Sequence, residues 1–353
     1  MNNAPDITII VPCYNAAPYL AECIDSLKSQ TIGMERLQFI FVDDASTDST
    51  LDILKCLESA LPEQVLLLAL PENQGQGYAR NLALCYAVGA YVLYVDADDT
   101  IADYAAELLF QQAQALQCDV LEFDFFRQQQ PWLSTAAAFE TAPSTYQVTD
   151  IVSRQVFCTS VPRYGTICNK LYRRQLLVEH GICNAEHLAH EDTLFSQLAS
   201  LYVTNYAYLP VPLYFYRPNP HSTMLKARSN DPHQFDRLKV QLQFLEECER
   251  RGLLHDCYLA VETMFLRTYY MDTLLFICER FTEAPLEQLM EMQRTVQTCF
   301  PSWRRNPFLA HQQTDLEKLL LSTLDDSFSG ENFQALKNKV GQICTSARLI
   351  FQQ

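Results

Sequence analysis

A chain of 353 residues with 48% apolar side chains is long enough for one large or two medium domains with real cores. Its 42 Asp and Glu against 26 Lys and Arg leave a net charge of −16, placed unevenly: residues 1–130 carry 19 acidic and 5 basic side chains, residues 131–353 the other 23 and 21. So acidic a first third argues against wrapping a nucleic-acid backbone, looks a poor place to hold any phosphate, and comes with no run near the ~20 apolar residues of a membrane span.

The first 125 residues alternate between strand and helix signals. Ile7–Val11 is a β-branched run ended by Pro12, and Tyr19–Ser29 places Leu20, Cys23, Ile24 and Leu27 at helical spacing. Leu37–Val42 reads as a strand and Leu51–Leu61 as a helix behind the Asp48-Ser49-Thr50 cap signal. Val65–Leu70 is a strand, Gly77–Val88 a helix, Ala90–Val95 a strand, Tyr104–Leu116 a helix and Val120–Phe123 a strand. Strand–helix repeats of this spacing predict an α/β fold with a mostly parallel, Rossmann-like sheet flanked by helices. Residues 128–150, polar, small and Pro-containing, read as a loop or excursion and not as a core element. From Asp150 to Arg217 the pattern is mixed, with Leu201–Tyr208 and Pro212–Tyr216 strand-like. Beyond Asp231 the periodicity is helical almost throughout. The predicted division is 1–225 as a catalytic domain, made of a 1–125 half and a 126–225 half, and 226–353 as an α-helical C-terminal region.

The N-terminus has neither a basic nor an apolar signal region, so no secretion signal is expected. Thirteen Cys without a CxxC pair suit buried free thiols in a reducing cytoplasm, Cys13, Cys23, Cys56, Cys85 and Cys118 among them.

Ligands of such sheets bind beyond the carboxyl ends of the strands. There the sequence places Pro12-Cys13-Tyr14-Asn15, Asp43-Asp44-Ala45-Ser46-Thr47-Asp48, Asn73 to Asn81 with Gly75, Gly77 and Arg80, and Asp96-Ala97-Asp98-Asp99. Singly, a carboxylate can be a helix cap and a glycine a tight turn. Together they put carboxylates, two of the nine Gly and one Arg on one rim. Asp96 and Asp98 can aim two carboxylates at one point, where a cation must separate them, and hard oxygen ligands favour Mg2+ or Mn2+ with open positions for phosphate.

In order and spacing these segments resemble the family-2 inverting glycosyltransferases of the GT-A fold. The resemblance continues into Asn169–Arg173, His190–Phe195 and Pro212–Arg217, which are similar to the bacterial branch that builds capsular, exopolysaccharide or lipopolysaccharide chains. It covers roughly residues 5–225. It implies transfer of a sugar from a nucleotide-sugar, a UDP-sugar, to a glycan or lipid-linked oligosaccharide acceptor. Pro12, Tyr14 and Asn15 would surround the nucleotide, Asp43 or Asp44 (Asp44 favoured) would accept from the uracil imide, and Gly75 and Arg80 would complete the donor pocket. For Arg80, a plain salt bridge to Asp43 or Asp44 is the competing reading. Asp96 and Asp98 would serve metal and ribose, with Asp98 the direct ligand of Mn2+ or Mg2+ and His221 a weaker candidate ligand. Asp192 would be the general base, against the alternative of a helix N-terminal charge. Glu191 would position the acceptor, and Asp99 either orients the acceptor or caps the next helix. His190 reads as a solvent-facing loop residue, and Lys170 and Arg173 either steer an anion or form a solvated cationic face.

Two other readings compete. A sugar-phosphate nucleotidyltransferase would carry a Gly-rich, basic loop after the first strand, where this chain has Pro12-Cys13-Tyr14-Asn15. A non-catalytic GT-A scaffold would have lost its base or its acidic triplet, and both are present. In the tail, Trp303–Phe308 mixes aromatic and basic groups as membrane-interface segments do, which would place the protein peripherally at the inner face of the membrane. Helices closing over the catalytic domain or a homodimer contact are the alternatives.

Overall fold

The computed structural model describes residues 4–128, 130–160, 166–218, 232–310 and 314–350. They divide into two compact units. One comprises Met1–Asp150 with Arg163–Pro220, the other Ile151–Pro162 with His221–Gln353.

The first unit opens with β1 (Ile7–Cys13), α1 (Ala17–Lys28), β2 (Leu37–Asp43), α2 (Thr50–Ala60), β3 (Val65–Ala69), α3 (Gln76–Tyr86) and β4 (Tyr91–Tyr94). Then come β5 (Thr100–Ile101), α4 (Ala105–Leu116), β6 (Val120–Phe126), α5 (Thr135–Glu140) and β7 (Ser144–Gln147). After α6 (Ile151–Ser160), which belongs to the other unit, it continues with β8 (Lys170–Arg173), α7 (Arg174–Glu179), α8 (Glu191–Tyr202) and β9 (Asn205–Phe215).

The strands lie in the order β3-β2-β1-β4-β8-β6-β9-β5, with β7 also paired to β9. The pairs β3–β2, β2–β1 and β1–β4 are parallel. Strand β8 enters antiparallel between β4 and β6, so the sheet as a whole is mixed. The central strands are nearly continuous apolar runs because helices cover both faces. Ile7, Ile9, Ile10 and Val11 of β1 and Phe39, Ile40, Phe41 and Val42 of β2 are all buried. Each such side chain contributes roughly 1.5–3 kcal/mol on burial.

Three expectations are corrected. Residues 128–150 hold the short helix α5 and the strand β7, where a loop was expected. β7 is an edge strand with mostly exposed side chains, so no hydrophobic alternation announces it. Leu201 and Tyr202 end a helix and do not begin a strand, and β9 then runs without interruption through Pro210 and Pro212. It keeps its pairing with β6 by shifting register between Phe123 and Phe125. The thirteen cysteines, all described, are free thiols. Cys13, Cys23 and Cys118 are buried as expected, but Cys56 and Cys85 are exposed on α2 and α3.

The second unit is helical. α6 packs on the helix Tyr258–Phe265, which passes through a π-helical stretch, Leu266–Asp272, into Thr273–Arg280. Longer helices cover Asp236–Arg250, Leu286–Cys299 and Gly330–Ile350. No described helix is long and apolar enough to cross a membrane.

Candidate functional site

The loops after β1 and β2 are zipped together. Asn15, at φ +50°, accepts hydrogen bonds on Oδ1 from the Thr47 amide at 2.8 Å and the Thr47 hydroxyl at 3.2 Å, and its own amide donates to Ser46 Oγ at 3.0 Å. Pro12 pairs with Val42 across β1 and β2, and Tyr14 stands 52% exposed at the rim. Ala45 also takes a positive φ, +58°, a conformation that costs a non-glycine residue about 1–2 kcal/mol and needs such bonds to hold it.

Asp43 and Asp44 are both buried but differently employed. Both oxygens of Asp44 accept backbone amides, Gln74 at 2.6 Å and Gly75 at 2.8 Å. Gly75 sits at φ +85°, which lets the chain turn its amide toward Asp44. Asp43 accepts from the Ser46 amide on Oδ2 at 3.2 Å, while its Oδ1 is buried without a hydrogen-bond partner among the described residues.

Arg80, on α3, is 2% exposed. It donates to Asp96 Oδ1 at 2.7 Å and to Glu191 Oε1 at 2.6 Å. The salt bridge expected to Asp43 or Asp44 is corrected: Arg80 pairs instead with Asp96 and Glu191 and ties the acidic turn after β4 to the start of α8. Its own pKa is raised far above the ordinary value, because Asp96 and Glu191 outweigh the desolvation that opposes its charge.

Near that guanidinium Glu191, Asp192 and Asp99 hold their protons more tightly than free carboxylates. Burial lifts Glu191 to about 7, with Asp192 and Asp96 adding and Arg80 opposing. Asp192, half-buried at the first turn of α8, is raised by burial and by Asp96, against Arg80 and Lys170. Asp99 is lifted to about 8 by burial and by its neighbours Asp96 and Asp98. The Asp99 carboxylate is committed inside the fold, accepting from the Tyr214 hydroxyl at 2.5 Å and the Arg217 amide at 2.7 Å. Tyr214 in turn accepts from the Asp96 amide at 3.1 Å, so the end of β9 braces the whole turn. Arg217 donates through Nε to the Asp98 carbonyl at 2.9 Å and pairs with Glu22.

The reading of Lys170 and Arg173 as a cationic face is corrected. Lys170 is buried beside Glu122 at 3.8 Å and donates to the Thr166 carbonyl, and Arg173 lies 3.5 Å from Asp119. His190 ends the loop before α8 at φ +64° and is half-buried there. His221 lies outside the described residues.

The fit to a divalent cation can be judged from the donor set. Asp96 has one oxygen on Arg80, and Asp98 is half-buried at the rim. No group of three or more His, Cys, Asp or Glu among the described residues could hold a metal ion by itself. Asp96, Asp98 and Asp99, within four residues of one turn, do form a hard-oxygen, electronegative edge. A cation there would take oxygen from Asp98 and Asp96 and fill its shell from a phosphate and water. The residues fit an ion that arrives with a phosphate-bearing substrate.

Sequence reasoning gave no individual role to Tyr214 and Arg217, which it placed only in a family-like segment, nor to Gly77 and Asn81, which it placed only on the rim. For the last two a signal existed: Gly77, Arg80 and Asn81 stand at i, i+3 and i+4, one face of one helix.

Residues 8–181 match the family described as Glycosyl transferase family 2. A poly(ribitol-phosphate) beta-glucosyltransferase of Bacillus spizizenii is 32% identical over 196 residues, 55% of this chain and 29% of its own length. The putative glycosyltransferase EpsH of Bacillus subtilis is 28% identical over 224 residues, 60% of this chain and 61% of its own. Staphylococcus aureus TarS, a poly(ribitol-phosphate) beta-N-acetylglucosaminyltransferase, is 30% identical over 234 residues, 65% and 38% respectively. This chain therefore spans between 29% and 61% of the length of these curated relatives. The crystal structure of TarS 1–349 superposes with a TM-score of 0.67 at 21% identity, covering 96% of this chain and 91% of that one, which shows a GT-A-like fold with a helical C-terminal region.

Proposed function

We propose that this chain, which through residues 8–181 belongs to glycosyl transferase family 2, moves a sugar from a UDP-sugar to a hydroxyl of a glycan or lipid-linked acceptor in bacterial surface polysaccharide synthesis, with inversion. The observation that carries the reading is the buried Arg80, held between Asp96 and Glu191. It brings a donor-side carboxylate and the neighbour of a candidate base, far apart in sequence, to one guanidinium. Two comparisons support the donor and acceptor classes: TarS has been crystallised with UDP-GlcNAc, and the Bacillus spizizenii relative is named for glucosyl transfer to poly(ribitol-phosphate).

Pro12, Tyr14 and Asn15 wall the nucleotide, and Asp43, whose buried Oδ1 has no partner among the described residues, accepts from the imide of the base. Asp44 shapes the pocket from behind by holding the amides of Gln74 and Gly75. Asp96 faces the ribose, and Asp98 with Asp96 would hold Mn2+ or Mg2+. A bound divalent cation offsets the charge that builds on the leaving diphosphate. The acceptor hydroxyl gives its proton to the Asp192 carboxylate as its oxygen bonds to the anomeric carbon. The bond from that carbon to the diphosphate breaks on the opposite side, its electron pair leaving with the nucleotide. A raised Asp192 pKa suits this step, since a stronger base takes the proton more readily. The nucleotidyltransferase alternative is not favoured, because the loop after β1 offers neither a glycine nor a basic group for a triphosphate. We place the protein in the cytoplasm, meeting a lipid-linked acceptor at the inner face of the membrane.

Replacing Asp192 by Asn tests the assignment. UDP affinity should persist while transfer falls by orders of magnitude. Unchanged transfer, or loss of UDP binding in its place, would show that the base lies elsewhere. Thermal shift with UDP, GDP, CDP and dTDP sugars, each with Mn2+, identifies the donor nucleotide.

A further inference from the structure

The loop 182–190 leads into α8, whose second residue is the candidate base Asp192, and it is held in a conformation it would not choose alone. His187 and His190 both adopt positive φ, +59° and +64°. Such conformations cost of order 1–3 kcal/mol each and persist only where the surroundings impose them. The surroundings here are one face of α3. The Asn81 side chain exchanges hydrogen bonds with the backbone of Asn184, accepting its amide at 2.8 Å and donating to its carbonyl at 3.0 Å. The same Nδ2 also reaches the Glu186 carboxylate at 3.0 Å. One turn earlier, a Cβ on Gly77 would lie 2.2 Å from the Ala185 carbonyl oxygen and 3.2 Å from Glu191 Cβ, so only glycine lets the loop come this close. The Ala185 amide then donates to the Glu191 carbonyl at 3.2 Å, passing the contact on to the start of α8.

We propose that Asn81 is a positioning residue for the reaction: it latches the 182–190 loop to α3 through the loop's backbone and so sets where Asp192 stands. The Arg80–Glu191 ion pair cannot do this by itself, because it restrains the tip of one flexible side chain, whereas a paired amide donor and acceptor fix the main chain in both direction and register. α3 begins at the turn whose Gly75 amide is bound by Asp44, so the same rigid element carries the donor-side loop at one end and the latch two turns on. The proposal rests on Asp192 being the base.

The test uses the full chain with Asn81→Ala and Asn81→Asp. For Asn81→Ala, UDP affinity should stay within about twofold of wild type while kcat for transfer falls on the order of a hundredfold, the cost of a displaced reacting group. Amide hydrogen exchange should quicken in residues 182–191 and remain unchanged in the strands. Asn81→Asp keeps the acceptor for the Asn184 amide but sets a second carboxylate beside Glu186. Its deficit relative to wild type should shrink as pH falls through the carboxylate range and protonation restores the donor. That variant carries the test if Asn81→Ala does not fold. Unaltered kcat, unaltered exchange in 182–191, or a loss of UDP affinity matching the loss of kcat would each overturn the proposal. Failure of the base assignment reads out separately, as transfer surviving in Asp192→Asn.

Discussion

Arg80 shows how much one side chain can organise. It is buried against Glu191 and the half-buried Asp96, and among the described residues neither carboxylate has another cation as close. A buried pair is weak evidence for net stability, but breaking one is expensive because a charge is left behind. Arg80→Ala should therefore cost about 3–5 kcal/mol in urea denaturation. Arg80→Lys should recover only part of it, since an ammonium cannot span two carboxylates as a planar fork does. Wild-type stability in the alanine variant would contradict this account. A lone Arg behind a Gly-rich turn was legible in the sequence as part of the site. That Glu191 is its partner was not, because the two lie 111 residues apart, beyond any local pattern. Asp43 and Asp44 make the same point. Their position at a strand end is readable, while which oxygen is already occupied depends on where the Gln74 and Gly75 amides turn.

At the scale of elements, strands covered on both faces and helices with an apolar stripe were legible to within a few residues. Elements held by polar bonds were not. The helix Tyr258–Phe265 offers a case to test. Glu262 accepts from the buried Asn306 amide at 2.7 Å and from the Tyr258 hydroxyl at 3.3 Å, yet its pKa is raised, because burial outweighs both bonds. A carboxylate whose folded pKa lies above its unfolded one stabilises fully below the unfolded value and loses that contribution as pH rises through the folded value. Glu262→Gln keeps an acceptor for Asn306, and the Tyr258 hydroxyl can turn to accept from the new amide. The variant should gain thermal stability over wild type as pH is raised from 4 to 8, with little difference at the acid end. A difference independent of pH would mean that Glu262 is not ionised against its surroundings.

For the whole molecule, the uneven charge is the property to explain. The surplus in residues 1–130 includes Asp43, Asp44, Asp96, Asp98 and Asp99, and the fold gathers these carboxylates at the ends of β2 and β4. On the proposed function, phosphate reaches this edge together with a divalent cation. Chelation should then weaken UDP-sugar binding by about tenfold or more, about 1.4 kcal/mol. Mn2+ or Mg2+ should restore it and added K+ should not, because a screening ion does not replace a coordinated one. Titration calorimetry with and without chelator measures this, and equal affinity in both would remove the cation from the site.

The sequence by itself determined the alternation of strands and helices, the strand ends where chemistry gathers, and the family to which they point. These follow from local periodicity and from residues adjacent in the chain. Only the tertiary structure decided that β8 enters the sheet antiparallel, that α6 belongs with the helical unit, and that Asp99 is committed to Tyr214 and Arg217. It likewise decided that one face of α3 holds the loop before Asp192. The physical reason is the same in each case. A hydrogen bond or ion pair between distant segments leaves no periodic trace in the chain, and its worth is set by burial and geometry that exist only once the fold has closed.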